Sequence, residues 1–217
     1  MDARGRPAVG VYTVFPFESA MSDTDLARLL LLIVLSGALA AGIAMRAAGV
    51  RAAGKLPRSV DGPAIASAIR VLALAFYGGL LLFLVWPPAM AWAAVDVPRW
   101  ARWAGAIFMA GGFGLALWSR WTLGASSTLT SVPAPGGGLV TRGPYRRLRH
   151  PIYTAAFLVI PGVAGLTANL FILAAGLGAL TVLVVRTPRE EALLLGKFGD
   201  DYRAVMDRTG RWLPRLR

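Results

Sequence analysis

The carboxyl-terminal half of this chain contains the side chains able to do chemistry. Its single histidine lies in Gly143-Pro144-Tyr145-Arg146-Arg147-Leu148-Arg149-His150-Pro151-Ile152-Tyr153, just before an apolar run. Proline is favoured at the first helical position because its missing N–H would be unpaired there anyway. His150 therefore falls near a helix N-cap and Tyr153 within the first turn. The positive end of that helix, with Arg146, Arg147 and Arg149, favours an anion. The same spacing also fits a plain helix start flanked by basic residues. Glu190-Glu191 are the first acids after a later apolar run and stand beside Arg186 and Arg189. Carboxylates near a membrane are costly unless paired or used. This pair could hold hydroxyls, a cationic centre or a substrate proton, or simply pair with Arg186 and Arg189. Gly136-Gly137-Gly138 precede Leu139-Val140 and would let backbone approach a ligand, or serve as a flexible connector. Leu193, Leu194, Phe198, Tyr202 and Val205 recur at helical spacing, so one face lies on the bilayer or over the loop, with Asp200 and Asp201 solvated.

These residues must be positioned by hydrocarbon-like elements. The chain has 217 residues, 56% hydrophobic and only 16% charged. Its apolar residues come in runs of about the 20 that a membrane helix requires. Five runs are expected: Leu26–Ala48 after the helix-start signal Ser22-Asp23-Thr24-Asp25, Ala64–Trp86, Arg102–Leu123, Ile152–Thr167 and Asn169–Val185. The last two form a tight hairpin, and residues 186–217 a charged amphipathic segment. The expected fold is all-α and integral to the membrane. It has a tail at 1–25, three spans within 26–123 and a functional core over 124–217. Arginines cluster in the loop after the first run, in the loop before His150 and in the tail, while residues 87–101 and 167–169 are nearly uncharged. The positive-inside rule then places the amino terminus outside, and the His150 loop and carboxyl terminus in the cytoplasm.

The net charge of +12 comes with no nucleic-acid motif and is read as arginines at membrane surfaces. Without cysteine there is no disulfide, thiolate ligand or cysteine nucleophile, and one histidine with few carboxylates argues against a zinc or di-iron site. A serine–histidine–acid triad lacks its Gly-x-Ser-x-Gly elbow.

In their order, Leu139-Val140-Thr141-Arg142-Gly143-Pro144-Tyr145-Arg146, Arg149-His150-Pro151-x-Tyr153, a helical hairpin, Glu190-Glu191 and Phe198-Gly199-x-x-Tyr202 resemble the isoprenylcysteine carboxyl methyltransferase family, grouped with the phospholipid methyltransferases. The resemblance covers about residues 115–214. It implies a membrane methyltransferase that uses S-adenosylmethionine and acts on a lipophilic acceptor, with the cofactor in a cytoplasmic pocket built from loop 124–150 and the carboxyl-terminal helical segment. Carried over by motif, Leu139, Val140, Gly143, Tyr145, His150, Pro151, Tyr153, Glu190 and Glu191 are the cofactor-binding candidates. Arg149, Glu190 and Arg208 are the catalytic candidates, Arg149 foremost for steering an acidic or polar substrate group. Carboxylate O-methylation leads, with phospholipid N-methylation or thiol S-methylation as alternatives and a transporter or scaffold as the non-enzymatic reading. One departure is Ala155, where the family often has glycine. The alanine- and arginine-rich composition points to a bacterial inner membrane.

Overall fold

The computed structural model describes residues 22–47, 62–124 and 138–215. The amino-terminal tail, most of the basic loop after the first run, and Gly136-Gly137 lie outside the described residues. Five long helices account for nearly all the rest: α1 (Asp23–Ala47), α2 (Pro63–Val85), α3 (Arg99–Leu123), α4 (Pro151–Thr167) and α5 (Leu170–Arg208). Short 3-10 turns at Pro87–Ala93 and Gly143–Arg146 connect them, and the described residues contain no strand. Helices α1, α2 and α5 are long and apolar enough to cross a membrane. The shorter α4 has 17 residues, and α3 carries Arg99, Arg102 and Arg120 among its apolar residues. Exposed Trp86, Trp92, Trp100 and Trp103 stand at one end of the α2–α3 pair, and exposed Trp118 and Trp121 near the other end of α3. This is the placement of interfacial aromatic belts. Val71, Leu74, Leu81 and Ile107 are exposed between them, as lipid-facing side chains are.

Local chemistry explains the ends. The Ser22 hydroxyl accepts from the Asp25 backbone N–H (3.1 Å) and donates to the Asp25 carboxylate (2.7 Å), closing the first turn of α1. Between α4 and α5 the chain reverses through Ala168 in the left-handed region, and the Asn169 side-chain oxygen accepts from the N–H groups of Phe171 and Ile172. The Asn169 amide also donates to the Met90 carbonyl (3.0 Å), fastening the hairpin to the α2–α3 connection. Helix α5 does not stop where its apolar run ends at Val185. It continues through Pro188 to Arg208, with one break at Gly199 (φ 51°). The carboxyl-terminal segment expected to be separate thus extends the fifth helix.

Helices α3 and α4 touch backbone to backbone. A side chain at Gly162 would lie 2.5 Å from the Met109 nitrogen and 2.7 Å from the Gly105 carbonyl oxygen. One at Gly112 would lie 2.9 Å from the Ala155 carbonyl oxygen. Small residues allow this approach where the apolar effect between helices is absent. Ala155 is buried at the same crossing, so its methyl is accommodated opposite a glycine. The crossing fixes where α4 begins relative to the end of α3, and so where His150 stands. Gly162→Leu should lower the thermal midpoint in detergent, followed by tryptophan fluorescence, by the equivalent of about 1–3 kcal/mol or more, the usual cost of overpacking. Gly111→Leu, on an open face of α3, should leave the midpoint unchanged or higher.

Candidate functional site

The site forms where the start of α4, the outer half of α5 and the carboxyl-terminal segment meet. Backbone pairing brings the last of these in. The Arg149 N–H donates to the Gly210 carbonyl (2.8 Å), the Gly210 N–H to the Arg147 carbonyl (3.0 Å) and the His150 N–H to the Arg211 carbonyl (3.1 Å). This short parallel clamp lays residues 209–212 along residues 147–150. The Thr154 hydroxyl donates to the Trp212 carbonyl (2.8 Å), and the Phe157 and Trp212 rings pack at 5.6 Å.

Pro151 opens α4 and His150 occupies its N-cap position, as the sequence predicts. The His150 and Tyr153 rings stack, with centroids 5.3 Å apart and planes at 16°. Glu190 is 0% exposed. Its Oε1 accepts from the Tyr153 hydroxyl at 2.7 Å and lies 3.1 Å from the Arg186 Nε, one helical turn earlier. Its Oε2 is 3.8 Å from the His150 Nδ1. Glu191 takes the other side: its Oε1 accepts from the Arg149 Nε (2.8 Å) and stands 3.4 Å from the His150 Nε2, while its Oε2 accepts from Arg211. Arg149 is further held by donating through Nη1 to the Met206 carbonyl (3.1 Å) and the Thr209 carbonyl (2.6 Å).

Glu191 lies beyond the apolar part of α5. Burial alone would raise its pKa, but the neighbouring His150 ring and hydrogen bonds from Arg211 and Arg149 outweigh this and hold it at about 2. It is therefore a fixed negative charge at neutral pH, unsuited to act as a general base. Burial, reinforced by the Glu191 charge, pushes the Tyr202 hydroxyl up, so it remains a protonated donor. Burial likewise raises Tyr145, partly offset by Arg120.

Of the sequence-predicted candidates, Arg149, His150, Pro151, Tyr153, Glu190 and Glu191 converge on this cluster. Leu139 packs instead against Leu194, Tyr202 and Val205, with Val140 half-buried beside it. Gly143 (φ 56°) meets α3, where a side chain would lie 2.6 Å from the Thr122 hydroxyl oxygen, and Tyr145 is half-buried near Arg120. Arg208 is exposed, lines a separate cavity, and makes no hydrogen bond or ion pair to Glu190 or Glu191 among the described residues. Arg149 is tied into the scaffold rather than presented freely. Arg186, Tyr202, Arg211 and Trp212 join the site without having been assigned to it. Arg186 was visible as a partner four residues before Glu190, and Tyr202 as a motif residue. The carboxyl-terminal pair depends on the clamp, which no local pattern announces.

Several buried polar atoms here have no hydrogen-bond partner: both His150 ring nitrogens, the Glu190 Oε2, the Tyr202 hydroxyl and the Trp212 Nε1. Buried polar groups are normally satisfied, so this cluster of exceptions leaves hydrogen-bonding capacity for a partner outside the chain, whether water or a ligand.

Residues 100–201 match the phospholipid methyltransferase family. This match bears out the family resemblance drawn from the motifs. The matched stretch runs from the start of α3 to just before Tyr202 and includes Arg149, His150, Tyr153, Arg186, Glu190 and Glu191, with Tyr202, Arg211 and Trp212 beyond its end. A solved structure of the eukaryotic intramembrane Ras methyltransferase isoprenylcysteine carboxyl methyltransferase is similar over 73% of this chain, at 22% identity and a TM-score of 0.46; this chain spans 54% of that protein's length. No curated protein matches the chain.

Removing the Glu191 charge leaves the buried Arg149 and the more exposed Arg211 facing no anion. Glu191→Gln should cost about 3–5 kcal/mol of stability, the scale for breaking one partner of a buried pair. Asp200→Asn, exposed and paired only with Arg203, should change the thermal midpoint by no more than about 0.5 kcal/mol equivalent. The folded pKa of Glu191 lies below the ordinary 4.5, so the stabilisation is complete above that value and is lost as pH falls toward 2. The wild-type and Glu191→Gln midpoints should therefore converge on acidification.

Proposed function

We propose that this chain is an integral-membrane, S-adenosylmethionine-dependent methyltransferase acting on a lipophilic acceptor. The observation that carries the reading is the set of unpartnered buried polar atoms gathered around Glu190 and His150. The residues fit the cofactor. The unpartnered Glu190 Oε2 can accept from a hydroxyl or an ammonium group. His150 and Tyr202 offer polar contacts, and the stacked His150–Tyr153 pair offers a planar wall. The fixed Glu191 charge favours a nearby cation.

When bound, the cofactor supplies an electrophilic methyl group on a sulfonium. The protein's contribution is to align, exclude water and set charge. Glu190 is oriented by Tyr153 and Arg186, and the α3–α4 crossing and the 147–150 clamp keep the walls rigid. The site lies where the apolar runs of α4 and α5 end. An acceptor's tail can remain in lipid while its head reaches the cluster, stripped of water by the low-dielectric surroundings.

A carboxylate acceptor needs no base, only an aligning cation, and the partly exposed Arg211 is better placed for this than the scaffold-bound Arg149. Phospholipid amine methylation is the second reading, favoured by the family that matches residues 100–201. There a proton must leave, and the Glu190 Oε2 or His150 would take it. In the sequence-derived topology this end faces the cytoplasm.

Purified protein in detergent should bind tritiated S-adenosylmethionine. His150→Ala and Glu190→Ala should weaken binding tenfold or more, and Tyr202→Phe by roughly tenfold, the scale of one hydrogen bond to a charged or polar ligand group. Absence of binding by the wild type at millimolar cofactor would sink the proposal. Incubation with lipid extracts, read by mass spectrometry for cofactor-dependent gain of one methyl, then separates O- from N-methylation.

A further inference from the structure

Outside the acidic cluster lies a second polar space of opposite character. A cavity of about 620 Å³ is lined by Thr141, Arg146, Arg147, Arg208, Pro214 and Arg215. Among the described residues that line it, four are arginines, all exposed, and none is acidic. Among the described residues, Arg146, Arg147 and Arg208 make no ion pair or side-chain hydrogen bond, while Arg215 donates to the Asp207 carbonyl. Repulsion among four solvent-exposed guanidinium groups is screened, but all four attract an anion placed between them.

The arrangement is held by backbone. Arg146 closes the 3-10 turn Gly143–Arg146, and Arg147 accepts through its carbonyl from the Gly210 N–H. Arg208 ends α5 next to Thr209, whose carbonyl is bound by Arg149. The arginine backbones are therefore fixed before any ligand arrives, which reduces the ordering cost of binding. Guanidinium forks match the oxygens of phosphate in bidentate fashion, and several forks suit a dianion. The cavity is at the end of the molecule where α4 starts and the apolar run of α5 stops, the level at which lipid phosphates lie.

We infer that this cavity is a phosphate-binding site, distinct from the Glu190–His150 cluster, that takes a phosphomonoester or phosphodiester group. Its positive charge suits a phosphate and repels a sulfonium, whereas the arginines of the Glu190–His150 cluster are already paired with carboxylates. The phosphate can come from a lipid headgroup or from a soluble compound.

The full chain in detergent is titrated, at constant ionic strength set with chloride, with inorganic phosphate, dihexanoyl phosphatidic acid or dihexanoylglycerol. The thermal midpoint is read by tryptophan fluorescence. Phosphate and phosphatidic acid should raise the midpoint of the wild type, and dihexanoylglycerol should not. A response to phosphatidic acid at roughly tenfold lower concentration than to phosphate, a gain of about 1.4 kcal/mol, identifies a lipid source. Equal concentrations identify a soluble one. Arg146→Gln/Arg147→Gln should abolish both shifts, and Arg146→Lys/Arg147→Lys, which keeps charge but loses the forks, should retain a reduced shift. Should the glutamine pair fail to fold, Arg215→Gln alone should weaken the response. Cofactor binding is measured separately. It should be unchanged in the glutamine pair, and failure of the wild type to bind cofactor would leave the phosphate result standing. No midpoint shift in the wild type, equal shifts in the variants, or loss of cofactor binding in step with the phosphate response would overturn the inference.

Discussion

The arrangement of this molecule at its reactive end depends on one buried carboxylate. Glu191 is bonded by Arg149 from the segment entering α4 and by Arg211 from the segment leaving α5, and lies beside His150 at the α4 N-cap. Three stretches of chain far apart in sequence thus share a single negative charge. Burying that charge alone would be prohibitive, and two guanidinium groups make it tolerable. The converse also holds: Arg149, whose donors also satisfy the Met206 and Thr209 carbonyls, is acceptable in a buried position because Glu191 is there. Remove the carboxylate and the clamp between residues 147–150 and 209–212 loses the charge that draws its two strands together.

That junction can be tight because α4 is placed before it closes. The backbone contact of Gly162 with Met109 and Gly105, and of Gly112 with Ala155, leaves α4 little freedom to slide along α3. Gly143 continues the constraint by lying against Thr122 at the end of α3. The ring stack of His150 on Tyr153, and the Tyr153 bond to Glu190, follow from where α4 starts. The functional side chains are thus placed by contacts with no chemistry of their own.

This division explains what could be read in advance. The all-helical membrane fold was legible because apolar runs must be helices in lipid. His150, Tyr153, Glu190 and Glu191 were legible because ionisable groups beside such runs are few and each needs a reason. The continuation of α5 beyond Val185 was obscured because charged residues end the apolar signal without ending the helix. Arg211 and Trp212 were invisible because their place comes from parallel pairing with residues 147–150, a contact across some 60 residues with no local signature. Arg208 was assigned to the reaction on charge and order alone. Its neighbours in space are Arg146, Arg147 and Arg215, not the glutamates.

The same comparison bears on the basic excess of the chain. Positive-inside arginines require only that cations lie on one side of a membrane, and this imposes no convergence on them. Here the arginines divide into two groups with different surroundings. Arg149, Arg186 and Arg211 are committed to Glu190 and Glu191, so the acidic cluster is balanced from within its own walls. Arg146, Arg147, Arg208 and Arg215 converge where none of the described lining residues is an acid. The 147–150 clamp lies between the two groups and holds both, with Arg147 lining the arginine cavity and Arg149 bonded to Glu191. Residues two apart on a regular extended strand would share a face, but the backbone at Arg147 turns into the helical region (φ −118°, ψ −26°) and breaks that pattern. One short stretch of backbone can therefore present a cation inward to a buried carboxylate and another outward to an incoming anion. Substitutions at Arg147 and Arg149, though nearly adjacent, should for that reason have separable effects.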